Sequence, residues 1–178
     1  MAFSYTVPGM VPAIAQDGPM TCWATVYTMM ISWRRSFQMP IRAAVNDVAP
    51  KYAQIYDQGL RSNPNPRGLP SAEFGPFLNA AHMSYEPMRN TDVGQWYQLM
   101  QDYGLLWVGT LNSVGPGGGL HSRIITGLIG EGNHDDTHFA ILDPDRGRRY
   151  FESFGTFVAK YEGALSQAEG QYLQIRHF

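Results

Sequence analysis

The chain has 178 residues, a formal net charge of −2, 44 % hydrophobic residues and a single cysteine. That length suits one domain, or two small lobes around a shared cleft, and the apolar share is enough to bury a core rather than leave a disordered chain. The weak charge without a basic block excludes the footprint of a nucleic-acid binder, one cysteine excludes an internal disulfide, and no apolar run approaches the roughly 18–20 residues that span a bilayer.

In chain order, residues 7–20 carry Pro8, Gly9, Pro12, Gly18 and Pro19 and read as an irregular segment. A helix is predicted over 21–35, because Trp23, Val26, Met30 and Trp33 recur at spacings of three and four. Thr21 suits its N-cap, and Arg34 and Arg35 suit its negative C-terminal end. A second helix is predicted over 40–57, stopped by Gly59, followed by a Pro/Asn/Gly-rich loop over 61–70. Short helices are expected over 71–82 and 91–103, the second ended by Gly104.

The pattern then changes. Residues 105–111 are apolar and β-prone, and 115–119 form a glycine-rich turn. Residues 121–129 read as a strand, 131–136 as a polar turn, and 137–142 as a strand closed by Asp143-Pro144. Weaker strands over 150–154 and 172–177 flank a short helix over 155–165. Helices first and strands afterwards predict an α+β fold in a single domain. A helical lobe would cover about 1–103 and an antiparallel β-rich lobe about 104–178, with the cleft between them.

A lone cysteine is ordinarily a small buried hydrophobe, but the surroundings of Cys22 point elsewhere. It falls in the first turn of the predicted helix, where the positive end of the macrodipole and free N–H groups favour the reactive thiolate. Gln16, six residues upstream, offers an amide donor that could join the Cys22 N–H at an oxyanion. A thiolate also needs a base and a group that orients that base. His121 begins a strand directly after the glycine-rich turn, and Asp143 ends the next strand. Pairing of the two as a hairpin sets His121 beside Asp143.

His138 is the chief rival base, since it opens an apolar strand. It lies five residues from Asp143 on the same strand, and an odd offset puts the two on opposite faces. His82, His134 and His177 fall in a helical segment, a polar turn and the C-terminal end. His134-Asp135-Asp136-Thr137-His138 holds two His and two Asp, but nothing else completes a ligand set, so it reads as a solvated turn and no metal or other cofactor is expected. The glycine-rich turn lacks the Lys-Ser/Thr of a phosphate loop and reads as a cleft rim. Trp23 reads as packing, and Asp17 as either a supporting group or an exposed one.

Gln16, Cys22 and Trp23 together resemble the Gln-x5-Cys-Trp signature of papain-like cysteine peptidases, and the order Gln, Cys, His, Asp is also theirs. The stretch from His121 to Asp143-Pro144 resembles bacterial members related to staphopains and to a plant-pathogen avirulence protease. Tyr103-Gly-Leu-Leu-Trp-Val108 is similar to a segment ahead of the catalytic His there. Likeness to peptidases that trim leader peptides after paired glycines is more distant. The resemblance covers most of the chain and is strongest over 12–33 and 103–161. Glu131 stands where Asp is usual, and Asp145 where Trp is common.

The resemblance implies a papain-like fold and a cysteine endopeptidase working through a thioester, with Gln16, Cys22, His121 and Asp143 as oxyanion donor, nucleophile, base and orienting acid. It implies a protein or peptide substrate, a bacterial toxin or effector role, and a cognate immunity protein or inhibitor over the cleft. Deamidation, transglutamination or peptidoglycan amide cleavage on the same fold, and an inactive binding module, are the alternatives. Residues 1–16 carry no positive charge, so no secretory signal is expected. Synthesis in the cytoplasm and delivery by a specialised secretion system are the corresponding expectation.

Overall fold

The computed structural model describes residues 3–87, 92–115, 117–167 and 173–178. The described residues form β1 (Phe3–Thr6), α1 (Cys22–Arg35), α2 (Ile41–Val48), α3 (Pro50–Gln58), α4 (Ser71–Ala80), β2 (Ser84–Glu86), α5 (Val93–Tyr103), β3 (Leu106–Leu111), β4 (Leu120–Gly130), β5 (His138–Asp143), β6 (Arg148–Ser153), α6 (Phe154–Gln167) and β7 (Ile175–His177). The strands make one sheet in the order β2-β7-β3-β4-β5-β6, with β1 also on β4, and the pairings are antiparallel. This mixture of helices with an antiparallel sheet is the α+β architecture expected.

Three elements differ from the sequence reading. The helix predicted over 40–57 is two helices, because Ala49 is extended (φ −169°, ψ 148°) and Pro50 starts α3. The proline ring excludes the residue before it from the helical region. Strands β1 and β2 were not foreseen. They have four and three residues, too short for a period-two pattern, and both add to the sheet from the half that reads as helical. The starts of two predicted elements, Thr91 and Tyr172, lie outside the described residues, as does Pro116 of the glycine-rich turn.

Helix α1 is more buried than one apolar face requires: Trp23 through Ser32 are all buried. It runs through the molecule with helices on one side and the sheet on the other. Phe77 of α4 fixes that side. Its ring meets Trp23 at 5.4 Å, Tyr27 at 5.0 Å and Tyr52 at 4.8 Å between centroids, edge-to-face contacts that orient aromatic rings. A second group lies under α5 and α6, where Trp96 meets Phe139 at 5.7 Å and Phe157 at 5.3 Å. With helices on both faces, β3 is buried at every position, which explains its unbroken apolar run.

The irregular segment before α1 acts as a strap. Val7 N–H donates to Thr126 O of β4 at 2.9 Å, and Gln16 N–H donates to Pro144 O at 2.8 Å. Trp33 Nε1 donates to Pro8 O at 2.8 Å. The Trp33 ring is wedged between Gly9 and Gly104, where an added Cβ would come within 2.8 and 2.6 Å of it. Both glycines have positive φ, of 98° and 77°, so backbone conformation and space each require glycine there.

Candidate active site

Cys22 is the first residue of α1 and is partly accessible. Thr21 occupies the N-cap position but makes no side-chain cap bond. Its hydroxyl instead donates to Gly18 O at 3.0 Å and accepts from Gly18 N–H at 3.1 Å. The turn before the helix is thereby fixed, and the first-turn N–H groups are left without the usual side-chain acceptor. Gly18 also lies against the turn after α3, where its added Cβ would be 2.3 Å from Gly59 O. Asp17 accepts from Tyr56 Oη and lies 3.4 Å from Thr21 Oγ1, so it supports this turn.

The opposing wall comes from the sheet. Strands β4 and β5 pair antiparallel, with Ile124 opposite Leu142 and a bulge between Ile125 and Gly127. The start of β4 thus lies next to the end of β5. His121 Nε2 stands 2.8 Å from Asp143 Oδ1, which leaves the other ring nitrogen clear of that contact, and Cys22 lines the same cleft near enough for its charge to act on His121. Asp143 Oδ1 also accepts Asp145 N–H at 2.8 Å, and Oδ2 accepts the Tyr150 hydroxyl at 3.0 Å.

These contacts set the charges. Burial raises the Cys22 thiol, but the His121 hydrogen bond and charge, with help from Ser122, outweigh it and bring the thiol below its ordinary value. Burial likewise opposes charge on His121, yet Asp143 and Cys22 lift it to about 9. Burial would also raise Asp143, and His121, Asp145 N–H and Tyr150 together hold it below the usual carboxylate range. A thiolate–imidazolium pair backed by a carboxylate is the charge state this arrangement favours.

Gln16, Cys22, His121 and Asp143 line a single cleft of about 560 Å³. The Gln16 Nε2 donates one hydrogen to Gly18 O at 2.9 Å, leaving its second for a ligand. Leu69, Phe74 and Leu120 give the cleft apolar walls, and Trp23 both lines it and packs on Phe77. Asn112 sits at its rim and closes the glycine-rich turn, accepting Gly119 N–H at its side chain at 3.1 Å. At position 145 an aspartate carboxylate pairs with Arg148 at 2.5 Å, and both line the cleft.

The other histidines lie elsewhere. His138 does not line the cleft and pairs along the sheet with Ile129 and Ser153. His82 has φ 54° in the turn after α4. His177 stacks on Tyr103 at 3.6 Å, and His134 packs edge-on against Phe154 at 5.4 Å. In the polar turn, Asn133 Oδ1 accepts the N–H groups of Asp135 and Asp136. Among the described residues no cluster of three His, Cys, Asp or Glu could hold a metal ion.

Sequence reasoning missed the groups behind Asp143. Arg123 is completely buried and donates to Thr110 Oγ1 at 2.9 Å, Tyr150 Oη at 3.0 Å and Glu152 Oε2 at 2.8 Å. One signal was present: Arg123 lies two residues from His121 on the same strand, hence on the same face. Nothing in spacing marked Tyr150.

A thiol at a helix start, a histidine at the head of a strand and a carboxylate at the end of the neighbouring strand are the parts of a papain-like cysteine peptidase. The family model described as papain-like cysteine protease AvrRpt2 matches residues 2–162, and the chain belongs to that family. It is therefore a hydrolase of the cysteine protease class. No curated protein matches the chain.

Proposed function

We propose that the protein is an endopeptidase that cleaves protein substrates through Cys22, His121 and Asp143, with Gln16 and the Cys22 N–H as oxyanion donors. The observation that carries this reading is the His121–Asp143 contact of 2.8 Å in a cleft that Cys22 and Gln16 also line. The thiolate adds to the scissile carbonyl carbon, and the oxyanion takes the Gln16 and Cys22 hydrogens. Collapse breaks the C–N bond as the His121 imidazolium protonates the leaving amine, leaving a thioester. Water then gives a proton to neutral His121 and adds to the thioester. The thiolate leaves, and the acid product and the ion pair are restored. A helical lobe carrying Cys22 and a sheet lobe carrying His121 and Asp143 form the two walls of the cleft.

The resemblance to bacterial effector peptidases supports a toxin or effector role, with delivery by a secretion system and an immunity protein that covers the cleft. Terminal proteomics on cells expressing wild type or Cys22→Ala tests the central reading. New N-termini confined to wild type are expected. Mass changes on glutamine side chains without new termini would instead identify a deamidase or transglutaminase.

A further inference from the structure

We propose that Tyr150 is a positioning residue for Asp143, and that buried Arg123 fixes the direction in which the Tyr150 hydroxyl donates. The proposal rests on the assignment of Asp143 as the orienting acid. Tyr150 does not line the cleft, so it acts through the carboxylate and not on the substrate.

The direction of the hydrogen bond follows from valence. A phenol has one proton and can also accept. Arg123 Nη1, 3.0 Å from the Tyr150 oxygen, has only hydrogens to give. It therefore occupies the oxygen as a donor and leaves the phenol proton for Asp143 Oδ2, 3.0 Å away. Arg123 cannot turn aside, because its Nε is held by Thr110 and its Nη1 also by Glu152. Glu152 in turn accepts from Lys160 of α6 at 2.5 Å. Burial, helped by the charges of Asp143 and Glu152, outweighs the opposing charge and hydrogen bond of Arg123 and pushes Tyr150 up to about 12, so it keeps its proton at working pH.

The purpose is geometric. The terminal torsion of an aspartate is broad, and a plane held only through Oδ1 can rotate. The carboxylate has His121 and Asp145 N–H on Oδ1 and Tyr150 on Oδ2, which pins both ends. The charged or titratable groups around it are His121 and Arg123 on β4, Cys22 on α1, Asp145 in the turn, and Arg148, Tyr150 and Glu152 on β6. Tyr150 supplies a donor to Oδ2 without adding a charge.

The test is the rate of Cys22 alkylation by iodoacetamide against pH, in wild type and Tyr150→Phe. The variant removes one oxygen and leaves Arg123 its bonds to Thr110 and Glu152. With one donor fewer, Asp143 takes a proton at higher pH, His121 loses its partner, and the ion pair fails earlier on the acid side. The acid limb of the variant's profile should lie roughly one pH unit above that of wild type, the scale of one hydrogen bond to a charged group, and the two rates should reach parity near pH 8. A merely structural role would change the rate by the same factor at all pH. Arg123→Gln, whose amide oxygen can accept the phenol proton, should reproduce the acid-side loss with Tyr150 in place, and Arg123→Lys should not. Superimposable wild-type and Tyr150→Phe profiles overturn the proposal for Tyr150. A folded Arg123→Gln variant with the wild-type profile overturns the role of Arg123. A wild-type midpoint near an ordinary thiol of about 8.5 overturns the underlying assignment of Cys22 instead.

Discussion

Cys22 and His121 hold each other's charge, and the pH behaviour follows from that coupling. Iodoacetamide should alkylate Cys22 rapidly at pH 6, with a midpoint well below the ordinary value of about 8.5, and His121→Ala should slow it there. On the alkaline side the sign is set by His121, which burial opposes but Asp143 and Cys22 raise to about 9. The imidazolium is present below that pH and lost above it, so kcat should decline as pH rises through about 9, seen in a rate profile on any cleaved peptide. His121→Ala should abolish cleavage, Asp143→Ala should impair it severely, and His138→Ala should leave it nearly intact. A dead His138→Ala with an active His121→Ala would overturn the assignment. Gln16→Ala should lower kcat by about 10²–10³ while the far-UV circular dichroism stays unchanged. Most of these residues were legible in sequence, because the chemistry of a thiolate demands a helix start, a base and an orienting acid. Arg123 and Tyr150 were not, because their partners come from strands whose side-by-side placement spacing alone does not reveal.

At the scale of elements, the turn before α1 decides where the nucleophile sits. Gly18 lies so near Gly59 O that an added Cβ would approach to 2.3 Å. Gly18→Ala should therefore displace backbone, cost about 1–3 kcal/mol and lower Tm by about 2–4 °C for each of those. It should also reduce kcat, since Gly18 is hydrogen-bonded to Thr21, the residue before Cys22. A thermal melt of the variant checks the sign. The α1 helix and the β4–β5 hairpin were readable from periodicity and from the polar turn between the strands. The break at Ala49 was also written in the sequence, at Pro50, but the apolar pattern across 40–57 concealed it. The bulge between Ile125 and Gly127 was not written there in any form that a period-two reading detects.

For the molecule as a whole, the sheet joins segments far apart in sequence. Strand β7 lies outside the matched residues 2–162 yet sits inside the sheet between β2 and β3, and its Ile175 is 1 % exposed. Ile175→Ala should cost about 2–5 kcal/mol, measured by denaturant unfolding, although Ile175 does not line the cleft. The amino-acid sequence by itself determined the fold class, the helix that carries Cys22 and the hairpin that carries His121 and Asp143. These depend on local periodicity and on residue types, which a chain displays directly. Only the tertiary structure decided the membership of β1, β2 and β7 in one sheet, the strap that ties Gln16 to Pro144, and the Arg123–Tyr150 support behind Asp143. Each of these is a pairing between distant segments, and its free energy exists only once the intervening chain has folded to bring the partners together.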